Sequence, residues 1–305
     1  GFQRTSNIYK WSDLSMTIRF GPAGIPLSCK GRTLKDGIED IHALQLDAME
    51  VQLLRPLRDI PEELDLIKEL GEELDVSMSI HAPYYMDLLG EDTYVKRSMD
   101  NVLWSGEVAR SLGADIITIH VGMYHDYDPG EALEIAIKKV RWLRDKFKKS
   151  GFEAKLAIET SGRQKVFGSL DEVLTINKRI KNTIPVLNIP NIHAREGGML
   201  RDMEDFQQLF DRVKESTGST DFYIHFSGVE HADGDKIMAT PIKKGDLRFD
   251  PMAEMMLANE DWDFRIISES PLLEHDAVYM KLILDRILQR KLQKEERQKE
   301  KAKSQ

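Results

Sequence analysis

Eight short runs of β-branched and other apolar residues recur along the chain, and between them the apolar positions fall into the period of amphipathic helices. The runs cover residues 17–20, 48–53, 76–80, 115–120, 155–159, 184–188, 222–226 and 265–269. The helical segments lie near 33–45, 61–74, 93–112, 130–149, 169–180, 202–215, 250–259 and 273–290. The strand runs are apolar almost without a break, as strands buried on both faces are. Such alternation predicts an α/β fold of eight parallel strands closed into a (βα)8 TIM barrel, one domain over 16–290. Local punctuation agrees. Pro61 precedes Glu62 and Glu63, and Asp128, Pro129, Gly130 and Glu131 open another helix, placing early carboxylates at the positive end of the helix dipole. Three connections after strands are long, 21–32, 188–201 and 227–249, and loops at the C-terminal ends of barrel strands are where function gathers. Residues 1–15 read as an extension before the first strand, and 291–305 as a charged tail, helical or disordered, without a catalytic role.

Five of the runs end on residue types that ligate zinc or manganese: SMSIH on His81, DIITIH on His120, AKLAIE on Glu159, DFYIH on His225 and FRIISE on Glu269. A sixth, TIPVLN, ends on Asn188. The steps between these positions are 39, 39, 29, 37 and 44 residues, each the length of one strand, one helix and two connections. In a parallel barrel all strand C-termini share one face, so these residues would converge on one small volume. A single strand-end histidine is more often a hydrogen-bonded structural group than a ligand. Five matching positions reverse that preference, because one metal cluster accounts for all of them.

Composition adds limits. A chain of 305 residues with 41% hydrophobic and 8% aromatic content is ordinary for a soluble domain, and no apolar run reaches the ~20 residues of a membrane span. The first residues lack the apolar stretch of a secretory signal, so a cytoplasmic monomer is expected. The lone Cys29 excludes an internal disulfide. With 43 basic against 52 acidic residues the net charge is −9, so any nucleic-acid contact must be local.

HAPYYMDL at 81–88, IHVG at 119–122, IETSG at 158–162, NIHAREGG at 191–198, IHFSG at 224–228, KKGDLRFD at 243–250 and SESPLLEHDA at 268–277 carry a family likeness across the whole barrel. With these motifs in order, the chain resembles the endonuclease IV family of apurinic/apyrimidinic endonucleases, and its archaeal branch most, within the xylose-isomerase-like TIM barrels. The resemblance implies that His81, His120 and Glu159 hold one metal. It also implies that Glu159 bridges to a second, completed by His225, Glu269 and Asn188, where the family has an aspartate. The cofactor implied is two zinc ions, with manganese the other candidate. The family's third site maps onto Asn191, Ile237 and Ala239, so no normal third site is expected. His193, His231, Asp233 and Asp235 lie in the same loops and could rebuild one, though such residues are more often solvated.

The implied activity is hydrolysis of the DNA phosphodiester 5′ to an abasic site by a metal-activated hydroxide, with Glu159 and Glu269 as ligands able to orient the attacking water. DNA carrying abasic or damaged sites is the implied partner. Tyr84 and Tyr85 after the first histidine, and Arg55 and Arg58 after strand two, are the implied substrate contacts, with Lys243, Lys244 and Arg248 as candidate phosphate contacts. Two other readings stand behind this one. A sugar isomerase or epimerase would use Glu159, Asn188, His225 and Glu269 around one divalent ion, but leaves His81 and His120 without work. A relative without catalysis is motivated by Asn188, Asn191 and the absent Asp-x-His pair.

Overall fold

The computed structural model describes residues 16–54 and 63–304; the extension 1–15 and the loop arginines Arg55 and Arg58 lie outside the described residues. Each of the eight apolar runs forms a strand. In chain order the elements are β1 (Ile18–Pro22), α1 (Leu34–Ala43), β2 (Ala48–Gln52), α2 (Leu64–Glu73), β3 (Ser77–His81), α3 (Asp92–Leu112), β4 (Ile116–Ile119), α4 (Pro129–Ser150), β5 (Lys155–Glu159), α5 (Leu170–Arg179), β6 (Thr183–Asn188), α6 (Ile189–Arg195), α7 (Met203–Thr217), β7 (Asp221–Phe226), β8 (Gly228–Ala232), β9 (Asp235–Thr240), α8 (Asp250–Ala258), β10 (Asp263–Ser268) and α9 (Glu274–Lys303).

Eight strands make one parallel sheet in the order β1-β10-β7-β6-β5-β4-β3-β2. The barrel closes where β1 meets β2: Ala23 bridges to Glu50, and the Asp47 N–H donates to the Phe20 carbonyl at 3.1 Å. This seam needs glycine at position 21, since a Cβ there would lie 1.6 Å from the Ala48 carbonyl oxygen.

Alternation along each strand sorts side chains between two cores. Outward residues such as Ile18, Phe20, Ile80, Ile117, Ile158 and Phe226 are buried against the helices, each worth about 1.5–3 kcal/mol. Inward, Ala48, Ile116, Ala157, Val186, Tyr223 and Ile267 fill the barrel as one buried layer. At the N-terminal end of the strands, Arg265 donates to both carboxylate oxygens of Asp115 at 2.8 and 2.6 Å.

Two connections read as long loops contain structure. Residues 188–201 hold α6, whose first turn is capped by the Asn188 side chain and carries Pro190 near its start. Residues 227–249 hold the antiparallel hairpin β8–β9, turned by Asp233 and Gly234 at φ of 54° and 80°. Positive φ at both turn residues marks a type I′ turn, and an Asp-Gly pair is its usual sequence. The charged tail is helical. It continues α9 to Lys303, and its last buried residue is Leu288.

Candidate metal centre

Two residues beyond the apolar layer the inward side chains become polar. Ala48 is followed by Glu50, Ile116 by Thr118, Ala157 by Glu159, Val186 by Asn188, Tyr223 by His225 and Ile267 by Glu269. His120 comes two residues after Thr118, and His81 ends β3 beside it. All six strand-end positions singled out in the sequence are thereby brought to one end of the barrel.

Their ligand atoms form two groups that share Glu159: His81, His120 and Glu159 in one, Glu159, His225 and Glu269 in the other. His120 Nε2 lies 3.4 Å from Glu159 Oε1, and His81 Nε2 lies 3.9 Å from Glu159 Oε2. His225 Nδ1 lies 2.6 Å from the same Oε2 and 2.7 Å from Glu269 Oε1. Neighbouring hydrogen bonds set which ring nitrogen presents a lone pair. His81 Nδ1 donates to the Ala82 carbonyl at 2.7 Å, leaving Nε2 for a ligand, and His225 Nε2 donates to Glu50 Oε2 at 2.6 Å, leaving Nδ1.

His81 Nε2, Glu159 Oε2 and His225 Nδ1 are buried and make no hydrogen bond. An orphaned buried polar group costs roughly 1–3 kcal/mol; His81 Nε2 is one, while Glu159 Oε2 and His225 Nδ1, 2.6 Å apart, are relieved only when a proton or an ion lies between them. The donor set is imidazole nitrogen and carboxylate oxygen, which suits zinc or manganese. The residues present fit one ion in each group, with Glu159 common to both.

Glu50 is the member that inspection of strand ends missed. It is fully buried and accepts from His225 Nε2, from the Tyr223 hydroxyl at 2.5 Å and from Gln52 Nε2 at 2.9 Å. Burial pushes its carboxyl up, but the charge and hydrogen bond of His225 outweigh this and hold it at about 2. The signal was available: a glutamate in the middle of the apolar strand AMEVQ requires a buried partner.

Burial likewise opposes ionisation of Glu159, yet His120 and His225 hold its carboxyl well below the ordinary range. His225 is pushed down by burial and then well above its ordinary value by Glu50, Glu269 and Glu159. Because its folded pKa is raised, its contribution to the stability of the metal-free protein is complete below the unfolded value, about 6.5, and is lost as pH rises through the folded value. An ion at Nδ1 competes with that proton. The thermal shift produced by added zinc should therefore grow as pH rises above about 6.5; a shift independent of pH would contradict ligation through His225.

Asn188 takes a different stance from the oxygen ligand the resemblance implies. Its Oδ1 accepts the Asn191 N–H at 3.0 Å as the cap of α6, so its Nδ2 faces outward and donates to Glu269 Oε2 at 2.9 Å. It steadies Glu269 through N–H and presents no carboxylate. Tyr84 stands at the site: its ring stacks on His81 at 4.3 Å, and its hydroxyl donates to Gln52 Oε1 at 3.0 Å. Burial, then Glu269, Glu159 and Glu50, raise its phenol. Tyr85 is 95% exposed beside it. Lys243, Lys244 and Arg248 are exposed on the connection from β9 to α8, with the Lys243 ammonium 4.8 Å over the Tyr279 ring.

His193 and His231 also meet, with Asp246 as their third member. Asp233 sits in the hairpin turn, and Asp235 accepts the Gln164 N–H at 2.7 Å. His193 Nε2 and His231 Nε2 each lie 3.0 Å from Asp246 Oδ1. The Leu200 N–H points at His193 Nδ1 at 3.1 Å, so that nitrogen accepts and Nε2 carries the proton donated to Asp246. An ion at Nε2 would force a proton onto Nδ1 against the Leu200 N–H. The trio is built as a clasp joining α6, the hairpin and the loop after it, rather than as a metal site.

A protein of Methanocaldococcus jannaschii described as uncharacterized is 27% identical over 267 residues, which cover 86% of this chain and 94% of that protein. Among solved structures, a D-tagatose 3-epimerase-like protein matches with a TM-score of 0.67 at 18% identity, over 90% of this chain and 99% of that one. Endonuclease IV from Thermus thermophilus matches with a TM-score of 0.65 at 18% identity, over 88% and 99%. The IOLI protein with a zinc atom matches with a TM-score of 0.64 at 15% identity, over 89% and 99%. At these identities the structural likeness is one of fold, and among the described residues no helix is long and apolar enough to cross a membrane. Residues 38–281 match the xylose isomerase-like TIM barrel family, and the chain, with its eight parallel strands and polar C-terminal mouth, belongs to that family.

Proposed function

We propose that this chain is a metal-dependent phosphodiester hydrolase that incises DNA on the 5′ side of abasic sites. The observation that carries the reading is the double engagement of Glu159, whose Oε1 faces His120 while its Oε2 faces both His81 and His225. A shared carboxylate between two histidine-bearing groups is the arrangement of a two-ion site, and two ions suit in-line displacement at a phosphate. When bound, the ions would lower the pKa of water and offset charge on the phosphate oxygens. His81 and His225 hold their lone pairs in place through the Ala82 carbonyl and Glu50. Glu269, steadied by Asn188, can accept a proton from the attacking water on the open side of the site. Tyr84 walls the site over His81, and the neighbouring Tyr85 is free to enter the gap left by a displaced nucleotide.

Incision of a duplex with one abasic site, by metal-counted protein supplied with zinc or manganese, tests this. Cleavage 5′ to the lesion that chelation abolishes and metal restores is the expected result; intact DNA with about two ions per chain would sink it. A sugar epimerase is the second reading, favoured by Glu159, His225 and Glu269 converging without His81 and His120. Turnover of a ketose by the protein that leaves DNA intact would establish it.

Asn188→Asp should act in opposite directions with and without metal. A carboxylate 2.9 Å from Glu269 adds like-charge repulsion, lowering the melting temperature of the metal-free protein. With metal present, the added anionic ligand should tighten the ion beside His225 by roughly tenfold. Melting curves with and without zinc read both effects, and a shift of one sign in both would refute the placement of this residue beside the ion.

A further inference from the structure

Beside His120 the loops after β4 and β5 are joined into one wall. Met123 pairs with Val166 in an antiparallel bridge, Tyr124 N–H donates to the Lys165 carbonyl at 3.2 Å, and Phe167 N–H donates to the Gly122 carbonyl at 2.9 Å. With Arg195 from α6 this wall bounds a cleft of about 530 Å³. Among the described residues no carboxylate lines it. Met123 and Tyr127 are 47% and 41% exposed, offering a thioether and a ring to its interior.

The cationic side of the cleft is fixed. Arg195 Nη1 donates to the Ser161 hydroxyl and to the carbonyls of Arg163 and Val166 at 2.8 and 2.7 Å, and its Nη2 donates to the Tyr124 hydroxyl at 3.0 Å. These acceptors are neutral, and among the described residues no carboxylate forms an ion pair with Arg195 or with exposed Lys165. Tyr124 is held in turn, its ring 5.7 Å from Phe167 and its hydroxyl donating to Glu172 at 2.5 Å. A rigid positive charge without an acidic partner, an exposed ammonium and flat apolar surfaces together suit an anion joined to an aromatic base.

We propose that this cleft is a nucleotide subsite, which takes one nucleotide of the bound strand next to the scissile position. The base lies against Tyr127 and Met123, and the phosphate faces Lys165 and Arg195. That the nucleotide belongs to a strand being cut rests on the nuclease reading; the recognition of a nucleotide rests on the cleft alone.

The test is a titration of the metal-loaded protein, labelled with ¹³C at the methionine methyls, with deoxyadenosine 5′-monophosphate. The Met123 methyl, assigned through Met123→Leu, should shift saturably. Tyr127→Ala and Lys165→Glu should each weaken the apparent affinity about tenfold, the order expected for losing one base–aromatic stack or one phosphate contact. Lys148→Glu changes net charge equally near the other end of α4, roughly 28 Å along the helix, and should leave the affinity unchanged. An unmoved Met123 methyl, or equal weakening by Lys148→Glu, overturns the subsite. Nucleotide binding here by a protein that leaves abasic DNA intact would keep the subsite and sink the nuclease reading. Incision by a protein whose Met123 methyl does not move would do the reverse.

Discussion

Glu159→Gln should empty both metal sites and reduce phosphodiester hydrolysis by roughly a thousandfold or more. The carboxylate is the sole group common to the two ligand clusters, so its charge is withdrawn from both at once. The amide keeps one oxygen and turns its NH2 toward an imidazole lone pair, either His120 Nε2 on the Oε1 side or His225 Nδ1 on the Oε2 side. One site therefore meets hydrogens where an ion would sit, and the other keeps a weaker neutral ligand. Metal catalysis contributes several kcal/mol of transition-state stabilisation, and each 1.36 kcal/mol is tenfold in rate, which gives the magnitude of about 10³. The fold should survive, because glutamine matches the glutamate in volume and leaves the surrounding apolar packing unchanged. Metal analysis of the purified variant, with circular dichroism as the folding control, decides the matter. Two ions per chain retained would end the bridging role.

Glu50→Gln is expected to weaken the ion beside His225 by about 10–100-fold while leaving the His81 and His120 group nearly as it was. Glu50 touches the ligand set through His225 Nε2 and makes no hydrogen bond to His81 or His120. Its charge holds the proton on Nε2 and makes Nδ1 more basic, which a neutral amide does less well. The amide also reverses a chain of hydrogen bonds. Ionised Glu50 can only accept, so Gln52 must offer its NH2 there and its oxygen to the Tyr84 hydroxyl. With an amide at position 50 presenting NH2, the Gln52 side chain turns over and Tyr84 becomes the acceptor. Competition titrations that resolve the two ions should show one affinity falling and the other holding. Equal weakening of both would mean that Glu50 serves the barrel generally and does not position His225. Glu50→Ala is the harsher change. It leaves the His225, Tyr223 and Gln52 donors in a closed space without their acceptor, a loss of about 3–5 kcal/mol, and should lower the yield of folded protein.

The strand-end histidines and glutamates were legible because a parallel barrel makes position within the repeat equivalent to position in space. His81, His120, Glu159, His225 and Glu269 each close an apolar run, and the fold needs no further information to bring them together. Glu50 was less legible because it lies inside its run and not at its end, although its parity with Ala48 places it on the same inward face. The Asp233-Gly234 pair carried the signal of a two-residue hairpin, hidden within a connection long enough to pass for a loop. Asp246 was legible only as a member of the KKGDLRFD motif, with nothing to pair it with the two histidines. It lies 53 residues from His193 and 15 from His231, and only the packing of α6 against the hairpin makes them neighbours.

The sequence by itself determined the barrel, the number and order of its strands and the face on which the ligand-type residues gather, because burial of alternating apolar runs admits few other solutions. Tertiary structure alone decided the chemistry of individual atoms. It turned the Asn188 amide nitrogen toward Glu269 by spending its oxygen on the α6 cap, and it selected Nδ1 of His225 by placing Glu50 on the opposite nitrogen. It also made a clasp of His193, His231 and Asp246 by aiming the Leu200 N–H at the wrong nitrogen for a metal. Residue types follow from periodicity over tens of residues, whereas the direction of a lone pair follows from a hydrogen bond of about 3 Å whose partner is elsewhere in the chain.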